Sequence, residues 1–145
     1  MYRRILVPLD GSKVAEGVLP HAKLLAYSEG AELILLTVGA NPTLDFVFSD
    51  PSLAEGAVEE QEERSKTYIT AVENELKSAG FKTSTLMRFG SVAEVILGVS
   101  EELQVDVIAM STHGRTGPAR WLLGSIAERV VHNSKIPVLL IRATG

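Results

Sequence analysis

Short apolar runs alternate along the chain with longer segments in which apolar residues recur every three or four positions. Runs of the first kind are typical of strands buried on both faces, and segments of the second kind are typical of amphipathic helices. Five strands are predicted, at residues 5–9, 33–38, 82–87, 106–111 and 137–141. The third contains more polar residues, which favours an edge position. Strands that alternate with helices predict an α/β domain: an open parallel sheet with helices on both faces.

The first helical segment contains a proline, and a long connection precedes the second. The first runs from residue 12 to about residue 27 and contains Pro20, which predicts a kink or a split because a proline ring clashes with the preceding turn. A connection over residues 39–55 precedes the second helix, predicted over about 57–79. Long connections often serve as lids, and Phe46 and Phe48 suit either a lid or packing under a loop.

The last two helices are each preceded by a capping-box pattern, in which a serine and a glutamate three residues later satisfy free N–H groups. Ser91 with Glu94 predicts a helix that runs to about residue 103. Ser125 with Glu128 predicts the final helix. The side chains that should face the sheet from this helix are Ile126, Val130 and Val131.

Composition excludes several classes of function. The 145 residues include no cysteine, so disulfides and thiolate metal sites are excluded. A net charge of −4 argues against nucleic-acid binding, which usually needs a basic face. No apolar run approaches the roughly 18 residues of a membrane span, and the start does not resemble a secretory signal. We therefore expect one cytoplasmic domain without membrane insertion.

The segment after the fourth strand carries the most informative chemistry, because ligands of open α/β sheets bind at the carboxyl ends of the strands. Gly114 and Gly117 allow the backbone to approach a ligand closely. Gly124 and Ser125 stand at a predicted helix N-terminus, where free N–H groups attract anions. This arrangement suits a phosphate-bearing ligand.

The charges of the same segment support that interpretation. Residues 107–127 include Arg115 and Arg120 but no acidic residue. Trp121 is most simply a packing anchor. Neither the G-x-x-x-x-G-K-[ST] nor the G-x-G-x-x-G nucleotide pattern occurs in the chain, so a phosphate would have to be held in another way.

These residues together make the chain resemble the universal stress protein family over essentially its whole length. ATP-binding members of that family carry G-x2-G-x9-G-[ST] between the fourth strand and the last helix, and here the pattern reads Ser111-x2-Gly114-x9-Gly124-Ser125. The opening Ile-Leu-Val-Pro-Leu-Asp and the closing Pro-Val-Leu-Leu-Ile-Arg add to the resemblance. It implies a Rossmann-like sheet of the adenine nucleotide alpha hydrolase type, with strand order 3-2-1-4-5.

The resemblance also implies a ligand: ATP, or ADP or AMP, with Mg²⁺ bridging phosphate oxygens. Val38 would meet the adenine through its backbone and Asp10 the ribose. The phosphates would lie on the loop after Gly114 and on the helix start at Gly124 and Ser125. The implied contact residues are Pro8, Leu9, Asp10, Val38, Met110, Ser111, His113, Gly114, Arg115, Thr116, Gly117, Gly124, Ser125 and Ile126. Ser111 replaces the first motif glycine, and binding would weaken if a positive φ were needed there.

Several of these residues also have plain structural interpretations. Asp10 suits a cap of the first helix, and Ser125 suits a cap of the last. His113 suits a phosphate contact or a base, or a loop histidine that donates to backbone. Arg115 suits either a phosphate ligand or a solvated loop position. The three histidines show no metal-ligand spacing.

Three functions remain open at this point. The first is a nucleotide-binding regulatory module in the stress response, whose loop over residues 112–123 is ordered by ATP. The second is a slow ATP hydrolase, for which Asp10, His113 and Arg115 are the available groups, none with a clear orienting partner. The third is a nucleotide-free dimerisation module. The resemblance favours a homodimer through the fifth strand, whose apolar edge invites pairing.

Overall fold

A computed structural model describes residues 2–39, 51–113 and 123–143, which form five strands and five helices. The strands are β1 (Arg4–Pro8), β2 (Glu32–Gly39), β3 (Thr83–Phe89), β4 (Val107–His113) and β5 (Val138–Ala143). The helices are α1 (Lys13–Glu16), α2 (Leu19–Glu29), α3 (Pro51–Ser78), α4 (Val92–Glu102) and α5 (Ser125–Asn133). Within these ranges no helix is long and apolar enough to cross a membrane.

The five strands form one parallel sheet in the order β3-β2-β1-β4-β5, which confirms the predicted fold and the edge position of the third strand. Alternate residues of the inner strands supply two core clusters, one on each face. The first cluster packs under α2 and α3, through residues such as Ala22 and Val72. The second packs under α4 and α5, through residues such as Ile96 and Val130.

The first helical segment is split, as Pro20 predicted. A turn after Glu16 separates α1 from α2, and Pro20 lies in the first turn of α2, where its missing N–H removes no helical hydrogen bond. Gly30 ends α2 with a left-handed φ of 65°, and its N–H donates to the carbonyl of Ala26. The prediction for the next helix was wrong at its start: α3 begins at Pro51, six residues earlier, because a proline suits an N-terminal turn.

The capping boxes predicted for α4 and α5 do not form. Ser91 holds the N-cap position of α4 but makes no side-chain hydrogen bond there, and Glu94 instead pairs with Arg129 at 3.3 Å. At α5 the N-cap is Gly124, so Ser125 is the first helical residue and not the cap.

Of the three residues predicted to face the sheet from α5, Val130 does so and the other two do not. Ala127 and Val130 are the buried residues, whereas Ile126 and Val131 are about two-fifths exposed (41% and 42%). Ala127 and Val130 are three residues apart and so share one helix face, whereas Ile126 and Val131 each lie one position outside this pair and project from its flanks. Ile126 is therefore accessible to a ligand.

Candidate functional site

A cleft of about 310 Å³ opens at the carboxyl ends of β1, β2 and β4, between α1 and the start of α5. This volume lies at the lower end of the range for small-molecule pockets. Nine of the residues predicted from the sequence line it: Pro8, Leu9, Asp10, Val38, Met110, Ser111, Gly124, Ser125 and Ile126. The strand order explains the convergence, because β1 and β4 are neighbours although far apart in the chain.

The aliphatic wall of the cleft was not predicted from the sequence. Leu36, Val92 and Ile96 line it beside Val38 and Met110. Two signals were present: Leu36 and Val38 are two residues apart and so share one strand face, and Val92 and Ile96 are four apart and so share one helix face. Such a wall suits the flat, largely apolar surface of an aromatic base.

Val38, at the end of β2, lines the cleft beside this wall. The N–H of Leu9 donates to the carbonyl of Leu36 at 2.8 Å, so the polar backbone groups of Leu36 point toward β1. In a parallel ladder those groups alternate in direction, so the N–H and C=O of Val38 also point to that side. Because β1 ends at Pro8, opposite Leu36, they point toward the cleft beyond it.

Asp10 stands in the turn that leads from β1 into α1. Its Oδ1 accepts a hydrogen bond from the N–H of Ser12 at 2.9 Å, and Gly11 has the positive φ, 89°, that this turn requires. The helix cap is Ser12, whose Oγ accepts from the N–H of Ala15 at 3.1 Å. The carboxylate is exposed at the edge of the cleft, so the turn bond leaves its second oxygen accessible to a ligand.

Ser111 fits its position without strain. Among the described residues other than glycine, only Gln104 has a positive φ, so the first motif position does not need a glycine for its backbone conformation. The Oγ of Ser111 is buried and has no hydrogen-bond partner within the described ranges. A Cβ on Gly17 would lie 3.4 Å from it, which places the hydroxyl on the α1 side of the sheet.

The N-terminus of α5 brings main-chain N–H groups without a helical partner to the cleft. The first helical i→i−4 bond runs from the N–H of Glu128 to the carbonyl of Gly124 at 2.9 Å, so the N–H groups of the preceding residues have no helical partner. The N–H of Gly124 itself donates to Thr112 Oγ1 at 3.2 Å, which fixes the start of α5 against β4. This end of the cleft can bind an anion through main-chain donors.

Of the five remaining predicted contact residues, the structure describes only the backbone of His113. Gly114, Arg115, Thr116 and Gly117 lie outside the described residues, as do Phe46, Phe48, Arg120 and Trp121. The backbone of His113 is the last position of β4, and its side chain is not described.

Comparison with known proteins gives one consistent family. The sequence model of the universal stress protein family matches residues 1–142. Universal stress protein MJ0577 of Methanocaldococcus jannaschii is 34% identical over 98% of this chain and 96% of its own length. Universal stress protein YxiE of Bacillus subtilis is 30% identical over 98% of this chain and 100% of its own.

Solved structures agree with this result. The structure of MJ0577 superposes with a TM-score of 0.86 at 31% identity, covering 100% of this chain and 99% of that one. A universal stress protein in complex with cAMP has a TM-score of 0.65 at 20% identity, covering 99% of this chain and 98% of that one. One from Archaeoglobus fulgidus in complex with dAMP has a TM-score of 0.68 at 19% identity, covering 97% and 98%. At these lower identities the likeness is one of fold.

Proposed function

The chain belongs to the universal stress protein family, and on that premise we propose that it is a nucleotide-dependent regulatory module of the stress response whose cleft binds ATP. The observation that carries the proposal is the cleft itself. It combines an aliphatic wall, main-chain groups of Val38 at one end and, at the other, N–H groups of α5 that have no helical partner. The two relatives of the same fold solved with cAMP and dAMP are consistent with an adenine nucleotide as ligand.

Each part of an adenine nucleotide has a matching surface. The adenine would lie on Leu36, Val92 and Ile96, with its edge paired to the N–H and C=O of Val38. The second oxygen of Asp10 would accept from a ribose hydroxyl. Phosphate would be held by the N-terminus of α5, which favours negative charge. Mg²⁺ would bridge phosphate oxygens, since it commonly binds through substrate phosphates.

Regulation would follow from the position of the phosphates. The segment between β4 and α5 would be ordered when ATP binds, so partners would distinguish the two forms of the protein. Such a mechanism requires different ATP affinities for the two loop states. We further propose that the protein acts in the cytoplasm, and as a homodimer paired through β5. This edge strand presents four aliphatic residues, Val138 to Ile141, each only half-buried.

Equilibrium unfolding with and without Mg-ATP tests nucleotide binding. At 100 times its Kd, Mg-ATP should raise the free energy of unfolding by about 2.7 kcal/mol. The same protein, denatured after purification, should release an adenine nucleotide detectable by chromatography. Absence of any stabilisation at millimolar Mg-ATP would reject the proposal.

A matched pair of variants tests whether the backbone N–H of Val38 contributes to nucleotide binding. Val38→Pro removes one N–H that points toward the cleft, while the bonds from β2 to β3 are made by the residues on either side of Val38. Val38→Ala retains the N–H. The stabilisation by Mg-ATP should be largely lost in Val38→Pro and retained in Val38→Ala; equal stabilisation of both would show that adenine does not pair with Val38.

A further inference from the structure

Gly39, the last residue of β2, is covered by a side chain from the neighbouring strand. It pairs with Phe89, the last residue of β3. A Cβ built on Gly39 would lie 2.6 Å from Cε1 and 2.7 Å from Cδ1 of Phe89, far inside ordinary contact distance. The ring therefore occupies the space that a side chain at position 39 would need. Gly39 is buried, although Phe89 itself is 45% exposed.

The end of β2 is a place where such cover matters. The pairing of β2 with β1 ends at Leu36, whereas its pairing with β3 continues to Gly39. The N–H of Gly90 donates to the carbonyl of Gly39 at 3.2 Å and closes this ladder. Glycine weakens a strand because it loses much conformational entropy and has no side chain to pack. An aromatic ring from the paired strand compensates for both.

The contact stands between two surfaces of the cleft. Val38 immediately precedes Gly39 and lines the cleft from β2. Val92 and Ile96 line it from α4, which follows Phe89 after a two-residue turn. The pairing of Phe89 with Gly39 thus joins the end of β2 to the turn that leads into α4.

We propose that Phe89 is a positioning residue for the base of the nucleotide: its ring, seated against Gly39, fixes the end of β2 relative to α4. It thereby sets the gap between the backbone of Val38 and the aliphatic wall. The ring acts through the strand end and not by contact with the ligand. The contact itself stands on the geometry, whereas its consequence for the ligand rests on the proposed function, so the two are tested by separate measurements.

NMR measurements on the ligand-free protein test the contact. NOE cross-peaks should connect the ring protons of Phe89 to the Hα protons of Gly39. In Phe89→Ala the amide of Gly90 should exchange about fivefold faster, because its acceptor on Gly39 is then less fixed. The amide of Leu33, which donates to Lys82 at the other end of the ladder, should keep its rate. Absent cross-peaks, unchanged exchange at Gly90, or an equal rise at Leu33 would overturn the proposal.

Two control variants separate the ring from the general effects of substitution. Phe89→Tyr retains the ring, and its added hydroxyl is carried on Cζ, away from the Cδ1–Cε1 edge that meets Gly39. Tyr27→Ala removes a ring that is 82% exposed on α2. Both should leave the exchange of Gly90 as in the wild type. A rise in Phe89→Tyr equal to that in Phe89→Ala would count against the ring.

Titration of the ¹⁵N-labelled protein with Mg-ATP tests the consequence for the ligand. Phe89→Ala should raise the Kd by about fivefold, because a less fixed site loses preorganisation, and Phe89→Tyr should keep the wild-type Kd. At saturation Phe89→Ala should show a smaller amide shift at Val38 than the wild type, while Ser125 and Ile126 at the phosphate end shift as before. A uniform change at all three amides, or a wild-type Kd in Phe89→Ala, would overturn the role in positioning the base.

The variant Gly39→Ala identifies the group through which the ring acts. Its methyl group and the ring cannot occupy the same space, so in this background Phe89→Ala should weaken binding no further. A further loss of about fivefold would show that the ring acts elsewhere. If the wild type bound no Mg-ATP, the proposed function would fail, and the cross-peaks and exchange rates would still decide whether Phe89 fixes the end of β2.

Discussion

Serine residues show how the role of a side chain depends on its exact place in a turn. Ser12, Ser91 and Ser125 all stand at helix starts, and the last two also match a capping-box pattern. In the structure only Ser12 among these three accepts a capping hydrogen bond. The pattern gives the helix start to within one residue, but the cap depends on side-chain rotation, which spacing alone does not determine.

Replacing Ser12 and Ser91 in turn tests which of them caps its helix. Ser12→Ala should lower the free energy of unfolding by about 1 kcal/mol, because it removes the acceptor of the Ala15 N–H. Ser91→Ala is the matched control and should change it by only a few tenths of a kcal/mol, since Ser91 makes no such bond. Urea denaturation of both variants measures the difference. Equal losses would contradict the assignment of the cap.

The side-chain carboxylate of Asp106, just before β4, accepts two backbone hydrogen bonds from the start of β1. Its Oδ2 accepts from the backbone N–H groups of Arg3 and Arg4 at 2.8 and 2.9 Å, and these bonds hold the pKa of Asp106 below its ordinary value of 3.8. A carboxylate with a lowered pKa contributes stability above its unfolded pKa, and loses it as the pH falls through the folded pKa.

The pH dependence of one variant tests this contribution. Asp106→Ala should be less stable than the wild type by a constant amount at neutral pH. The difference should shrink as the pH falls below 3.8, because the wild-type carboxyl is then protonated. Unfolding free energies measured for both proteins across this range give the comparison. A difference that grows on acidification would contradict the role given to Asp106.

At the scale of elements, the periodicity of apolar residues was sufficient to predict the five strands, whereas their order in the sheet came from the family resemblance. All five strands and the split at Pro20 followed from residue type and spacing. The start of α3 at Pro51 did not, because a proline is compatible with both a loop and a first helical turn. The wall formed by Val92 and Ile96 was missed because it exists only when α4 is packed beside β2.

Gly98 offers a test of helix propensity within α4. It lies in the interior of the helix, it is exposed, and an added Cβ would meet nothing within 4 Å. Gly98→Ala should therefore raise the free energy of unfolding by about 1 kcal/mol, since alanine loses less conformational entropy on folding. Gly11→Ala is the contrasting variant: its surroundings are equally open but its φ is 89°, so it should destabilise. Thermal unfolding of both variants decides the signs.

At the scale of the whole molecule, the charged residues are distributed unevenly along the chain. The net charge of −4 is a sum over unlike regions: residues 24–63 contain no lysine or arginine, whereas residues 107–127 contain no acid. A negative protein can therefore have a locally basic segment in the sequence after β4, where a phosphate would lie.

The edge strand β5 completes the sheet on one side and is the surface proposed for pairing with a second copy.

A single substitution in β5 tests that pairing. The N–H of Ile108 donates to the carbonyl of Pro137, so by alternation the polar groups of Leu140 face away from β4. Leu140→Pro removes an outward N–H and leaves the bonds to β4 intact, whereas Leu140→Ala retains it. Sedimentation equilibrium should show a dimer for the wild type and Leu140→Ala and a monomer for Leu140→Pro. A dimeric Leu140→Pro would place the interface elsewhere.

The most direct test of nucleotide binding in the cleft is a titration of the ¹⁵N-labelled protein with Mg-ATP, followed by NMR. The amide resonances of Val38, Ser111, Ser125 and Ile126 should shift together along one binding curve, because these residues line the cleft from three separate parts of the chain. The exposed surface of α2 around Leu24 and Tyr27 should not respond. Absence of shifts at millimolar Mg-ATP, or shifts confined to α2, would contradict the account.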